Sequence, residues 1–155
     1  MKDREIIYRI AAQPDIAQLV SMRLAYLRED LGDIELLKSE ELEYELYVFF
    51  DKYLGKEVDA FVAECDGEIV ATSFTAYYHR LPHVSFPKGN AGIPINGYTK
   101  PDYRNMGLAS VLLKMSIRNA KEKGIELLHM ETTEKGFPVC TSIGFREIKY
   151  KPVQM

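Results

Sequence analysis

Residues 5–11 alternate apolar and polar side chains, with Ile6, Tyr8 and Ile10 on one face, and predict a strand. The period then lengthens. Pro14 suits the first turn of a helix, and Ile16, Leu19, Val20, Leu24 and Leu27 follow at helical spacing. Gly32 and Asp33 break that helix. Ser39 is a candidate N-cap for a second one, with Glu40 and Glu41 where a helix start favours negative charge. Leu42, Leu46, Phe49, Phe50 and Tyr53 give it an apolar face, and Gly55 ends it. Residues 60–65 and 68–78 predict two strands joined by Asp66-Gly67, a strong two-residue hairpin signal. Pro82, Pro87, Gly89 and Gly92 mark residues 79–92 as a long loop, and 93–99 as a fourth strand. A helix is predicted from about Met106 to Lys123, burying Leu108, Val111, Leu112 and Met115 and stopping at Gly124. Residues 125–132 read as a fifth strand, 135–143 as a short helix, and 146–152 as a last strand with Ile148 and Tyr150 on one face. The order β-α-α-β-β-β-α-β-α-β predicts a mixed α/β sheet with helices on its faces.

Length and composition narrow the class. The 155 residues suit one domain spanning 1–155, and neither a repeat nor a low-complexity tract divides it. No apolar run approaches the roughly 18 residues needed to cross a bilayer, and the start of the chain lacks a secretory apolar region. Cys65 and Cys140 are far apart and make no metal-ligand spacing, so free thiols, no metal and a cytoplasmic location are expected. The net charge of −3 hides an asymmetry. Residues 29–57 hold ten acidic side chains against three basic ones, a local −7. Nothing resembles the basic stripe of a nucleic-acid binder, and neither nucleic acid nor membrane is expected as a partner. The acidic run hints at a cationic one, although charge runs are usually solvated surface.

The segment Asn96-Gly-Tyr-Thr-Lys-Pro-Asp-Tyr-Arg-Asn-Met-Gly-Leu-Ala-Ser110 carries the clearest chemistry. A strand ends, Pro101 and Asp102 turn the chain, and a helix opens. A helix start leaves about four N–H donors unpaired and favours an anion. Gly107 has no side chain and Ala109 a small one, so a phosphate can approach the backbone, and Arg104 adds a permanent cation. The expected ligand is a diphosphate. No Gly-Lys-Ser/Thr follows, so this is not a P-loop.

Arg104-x-x-Gly107-x-Ala109 resembles the Arg/Gln-x-x-Gly-x-Gly/Ala signature of the GCN5-related N-acetyltransferase (GNAT) superfamily. The lead-in Tyr98-Thr-Lys-Pro-Asp-Tyr-Arg104 and the later stretch Thr132–Phe145, which closes with Gly-Phe, are similar to that family as well. The resemblance implies a GNAT fold, in which parallel fourth and fifth strands splay apart and acetyl-CoA, as cosubstrate, inserts its pantetheine arm like an added strand. It places Gly97, Tyr98 and Thr99 beside the arm and thioester. The N–H groups of Asn105, Met106, Gly107, Leu108, Ala109 and Ser110 would lie under the pyrophosphate, and Thr133 where the family often has a pantetheine-binding Asn. The implied activity is direct acetyl transfer to a primary amine of a small molecule or peptide, the amine acceptor being the second partner. Alternatives are a non-catalytic acyl-CoA-binding sensor and an interaction domain without cofactor.

Transfer benefits from a base for the amine and an acid for the thiolate. The family's usual acid is a tyrosine five residues before the closing Phe, but Cys140 stands there, a weak donor that on its own grounds reads as packing. Tyr98 and Tyr78 are alternative donors. Glu131, at the end of the fifth strand, is the leading base, with Glu64, His79 and His83 as others. Asp30, Asp33 and Glu35, read as the inter-helix loop, are candidates for attracting a cationic acceptor. The apolar face of the last strand offers a surface for a homodimer.

Overall fold

The computed structural model describes residues 4–35, 40–132, 134–148 and 154. Five strands form one sheet in the order β1-β2-β3-β4-β5: Ile7–Ile10, Val58–Cys65, Glu68–His79, Asn90–Thr99 and Leu127–Leu128. The first three pairings are antiparallel, and β4 with β5 is parallel. The helices are α1 (Ile16–Leu31), α2 (Glu40–Tyr53), α3 (Leu108–Glu122) and α4 (Phe137–Ile143).

The sheet buries both faces. On one, Leu19, Val20 and Met22 of α1 and Phe50 of α2 pack against Val62, Ile69, Phe74 and Tyr98. On the other, Leu108 and Leu112 of α3 cover Phe61, Ala63, Val70 and Ala71. Leu19, Ile69 and Leu112 are wholly buried, and each contributes about 1.5–3 kcal/mol relative to exposure. Pro14 lies in a 3₁₀ turn, Gln13–Asp15, that leads into α1. Asp15 anchors this entrance. Its carboxylate accepts the Ala12 N–H at 2.8 Å and two bonds from Arg9 at 2.8 and 2.9 Å, and the Arg9 guanidinium holds it below its ordinary pKa. Asp66 and Gly67 both have positive φ, 51° and 80°, as a tight hairpin demands.

A polar brace fixes α3 on the sheet. The Tyr77 hydroxyl donates to Asp59 at 2.8 Å, Asn119 of α3 donates to the same carboxylate at 3.0 Å, and Lys123 pairs with it at 2.7 Å. Burial first, then Asp59, pushes the Tyr77 phenol up, so it remains a donor. Anchoring the far end of α3 sets where its N-terminus meets the end of β4.

Several expectations are corrected. The fourth strand starts at Asn90, not 93, and the loop shortens to 80–89, closed by the Arg80 N–H on the Gly89 carbonyl at 2.8 Å. Gly89 and Gly92, read as loop markers, obscured the start of that strand because glycine is depleted in strands. The predicted fifth strand 125–132 pairs only at Leu127–Leu128, because the chain leaves β4 after the His129 N–H bonds the Gly92 carbonyl. Phe49 of α2 is 41% exposed and packs edge-on to Phe50 at its own helix surface rather than in the core. Of the face predicted for the first strand, Ile6 and Tyr8 pack against the α3 side of the core, while Ile10 is exposed on this edge strand. Residues 146–148 of the predicted last strand have no regular structure, with Ile148 exposed, and 149–152 lie outside the described residues, as does Ser39. No helix among the described residues is long and apolar enough to cross a membrane.

Candidate functional site

The C-terminal half of β4 is built differently from the rest of the sheet. Thr72 pairs with Tyr98 but Phe74 with Ile95, so β4 carries one extra residue around Asn96-Gly97. Such a bulge bends the strand and interrupts its ladder. On the other side β5 has already diverged. Beyond Gly92, β4 has no strand partner on that side among the described residues. Parallel β4 and β5 therefore splay, as the family resemblance implies.

At the end of β4 the chain makes a 3₁₀ turn, Pro101–Tyr103, and enters α3 through Asn105 at φ 63° and Gly107 at φ 80°. Asparagine and glycine are the residues that adopt this left-handed conformation readily. The first helical bond is Val111 N–H to the Gly107 carbonyl at 3.2 Å, so the N–H groups of Leu108, Ala109 and Ser110 precede the ladder. A Cβ at Gly107 or Gly97 would meet no atom within 4 Å.

Strand end, turn and helix start surround a cleft of about 550 Å³. It brings together Gly97, Tyr98, Thr99, Arg104, Asn105, Gly107, Leu108, Ala109 and Ser110 of the expected set. Met106 is exposed and does not line the cleft, because its side chain leaves the turn toward solvent. Thr133 lies outside the described residues. Tyr26, Glu29 and Asp30 of α1, Tyr103, and Lys135 and Val139 from the α4 side complete the lining. Of the α1 residues, sequence reading singled out only Asp30, for the acceptor, and missed Tyr26 and Glu29, because α1 shows only helical periodicity with no local motif pointing to β4.

Arg104 is held on three sides. Its Nε donates to the Thr99 carbonyl at 2.9 Å, Nη2 to Glu29 Oε2 at 2.6 Å, and its guanidinium lies 5.6 Å from the Tyr98 ring centroid. Tyr98 is buried and meets Tyr26 edge-on at 6.4 Å. The Arg104 hydrogen bond, with Lys135 adding its charge, holds the Glu29 carboxyl below its ordinary range.

The remaining candidates are dispersed. Cys140 is buried with Sγ 3.7 Å from Met130 Sδ and is not part of the cleft lining. Glu131 is exposed just past β5. Glu64 sits at the β1–β2 edge, 3.2 Å from Arg9, across the sheet from β4. His83 stacks on Phe86 and accepts the Ser85 N–H at 3.0 Å within its loop, and His79 is exposed at the end of β3. Tyr78 shares a hydrogen bond with His129 Nε2 at the root of the splay. Burial first, then Arg80, lowers the His129 pKa against the opposing pull of Glu131, so the ring is neutral at pH 7. His129 was not singled out from the sequence, since in a continuous predicted strand it had no special place. Asp30, expected in the inter-helix loop, belongs to the last turn of α1 and lines the cleft, because that helix runs to Leu31. Asp33 and Glu35 are exposed beyond it.

A model of the acetyltransferase (GNAT) family matches residues 24–140. No match to the chain was found among curated proteins. Among solved structures, a predicted acetyltransferase with acetyl-CoA from Clostridium acetobutylicum is similar at 26% identity and TM-score 0.85, covering 97% of this chain and 96% of that one. A GCN5-related N-acetyltransferase from Ralstonia eutropha JMP134 has 21% identity and TM-score 0.81, covering 97% and 99%. An aminoglycoside N-acetyltransferase in complex with CoA has 13% identity and TM-score 0.75, covering 99% and 96%. The last two likenesses speak to the fold alone. With its splayed β4–β5 pair, its glycine-opened helix start and a family match over well more than half its length, the chain belongs to the acetyltransferase (GNAT) family.

Proposed function

We propose that this chain is a single-domain N-acetyltransferase that moves the acetyl group of acetyl-CoA directly to a primary amine. The observation that carries the reading is the cleft at the β4–α3 junction, where an interrupted strand edge, a glycine-opened turn and the first N–H groups of a helix share one wall. These residues suit a long ligand with an amide-bearing arm and a diphosphate. The backbone around Gly97–Thr99 has no strand partner on the side away from β3 among the described residues, and there it offers donors and acceptors to amides. Asn105 through Ser110 offer N–H groups and a positive helix end to phosphate oxygens. Acetyl-CoA supplies the activated acyl group when bound.

The chain's own residues would then align the amine, take up its proton and support the departing thiolate. Tyr98, in the cleft wall beside Gly97, is our choice for the thiolate. Glu131 is our choice for the proton, with neutral His129 as a second acceptor nearby. We assign Cys140 to packing, given its contact with Met130. Cysteine in place of the family's usual tyrosine favours a second reading, a non-catalytic acyl-CoA sensor, since that position offers no hydroxyl. The acceptor is read as cationic, attracted by Asp30, Asp33 and Glu35. A thiol-release assay with acetyl-CoA against polyamines, aminoglycosides, amino acids and peptide N-termini tests it. Turnover with an amine is expected; tight CoA binding without turnover on any acceptor would favour the sensor.

A further inference from the structure

Glu29 stands in a place that helix electrostatics disfavours. It belongs to the last turn of α1, where the macrodipole is negative and carboxylates are mildly destabilising. It nevertheless lines the cleft, and its Oε2 lies 2.6 Å from Arg104 Nη2. Arg104 cannot swing away freely, because its Nε is tied to the Thr99 carbonyl and its plane lies near the Tyr98 ring. Lys135 lines the same cleft and adds its charge to the field on the Glu29 carboxyl. A carboxylate thus sits in the field of two cations, in the cleft that the start of α3 also lines.

We propose that Glu29 is an internal counter-anion for the diphosphate position, occupying Arg104 in the free protein and giving it up when a phosphate ligand enters. The inference rests on the acetyl-CoA reading of the cleft and adds to it a residue that sets affinity. Both partners are substantially exposed, at 38% and 51% of their side-chain surface, and exposed ion pairs are weak. Exchange of the carboxylate for a doubly charged diphosphate is therefore favourable. The carboxylate that remains nearby repels the ligand, so affinity stays below what Arg104 and the helix end would give alone.

The experiment is calorimetry of wild type, Glu29→Gln, Arg104→Gln and the double variant with CoA, dephospho-CoA, pantetheine and inorganic pyrophosphate. Glu29→Gln should tighten CoA by about three- to fivefold, in the range set by one exposed ion pair. The gain should persist with dephospho-CoA, which keeps the diphosphate, and vanish with pantetheine, which lacks it. It should also vanish in the Arg104→Gln background. Weaker or unchanged CoA binding by Glu29→Gln would overturn the proposal, making Glu29 a strut for Arg104 or a bystander. Loss of the gain with dephospho-CoA would overturn the assignment to the diphosphate. Pyrophosphate separates the two layers: if CoA fails to bind wild type but Glu29→Gln still tightens pyrophosphate, the acetyl-CoA reading falls and the counter-anion stands. If pyrophosphate binding is also insensitive to Glu29, both fall.

Discussion

The two halves of β4 are a controlled comparison within one strand. Around Ala91 and Gly92 the strand is sealed, paired with β3 on one side and β5 on the other. A Cβ at Gly92 would come within 2.9 Å of Leu128 Cδ2 and 3.3 Å of Thr75 Cγ2, so glycine here serves close packing. Five residues on, Gly97 sits at a bulge with no atom within 4 Å of where its Cβ would be. The same residue type closes the sheet at one end and leaves it open at the other. An unpaired strand edge is normally a hazard in a soluble fold. Here the edge faces a cleft instead of bulk surface, and α3 enters the same cleft.

The largest expected effect tests the open end. Gly107→Glu puts a carboxylate on the helix start and forces a side chain into a left-handed conformation. CoA affinity should fall about 100-fold or more, as if one or two charge-assisted hydrogen bonds of about 1.5–3 kcal/mol were lost. Circular dichroism should still report a folded chain, and undiminished affinity in calorimetry would remove this site from the account. The sealed end responds in the other currency. Gly92→Val should overpack the Leu128–Thr75–Tyr77 contact and cost about 1–3 kcal/mol in urea unfolding. Gly97→Ala should change stability by no more than about 0.5 kcal/mol while altering the KM for acetyl-CoA. Equal stability losses at the two glycines would dissolve the comparison.

Smaller effects reach beyond the strand. Neutralising Asp30, Asp33 and Glu35 together should raise the KM of a polyamine a few-fold with kcat little changed, and salt should reproduce the effect because such attraction is screened over about 8 Å. An anionic best substrate would contradict it. Cys140→Ala should leave kcat within about twofold of wild type, since its thiol faces Met130. A loss of about tenfold or more, the range of a general acid, would return Cys140 to the chemistry.

Much of this was legible in the sequence where the signal is local. Arg104, Gly107 and Ala109 declare a helix start open to anions, and Asp66-Gly67 declares a hairpin, because each motif fits within a turn of the chain. The β4–β5 splay could be anticipated only through the family resemblance; the residues themselves read as one continuous strand over 125–132, and what separates them from β4 is tertiary. For the same reason the pattern overstates the length of β5 and gives His129 no special place. Glu29 is the sharpest case. In sequence it is one of ten acids in an acidic run, 75 residues from Arg104, and only packing of α1 across the end of β4 joins them. The acidic run itself divides in the fold: Glu40, Glu41, Glu43 and Glu45 of α2 are solvated surface, while Glu29 and Asp30 line the cleft.

The central claim, that the open half of β4 and the start of α3 receive acetyl-CoA, is tested most directly by hydrogen–deuterium exchange with and without the ligand. Saturating acetyl-CoA should slow exchange at amides 97–99 and 105–110 and leave those of Ala91 and Gly92 unchanged, because β3 and β5 already flank them. Protection that falls elsewhere, or none at 97–99 and 105–110 despite saturation, would contradict the account.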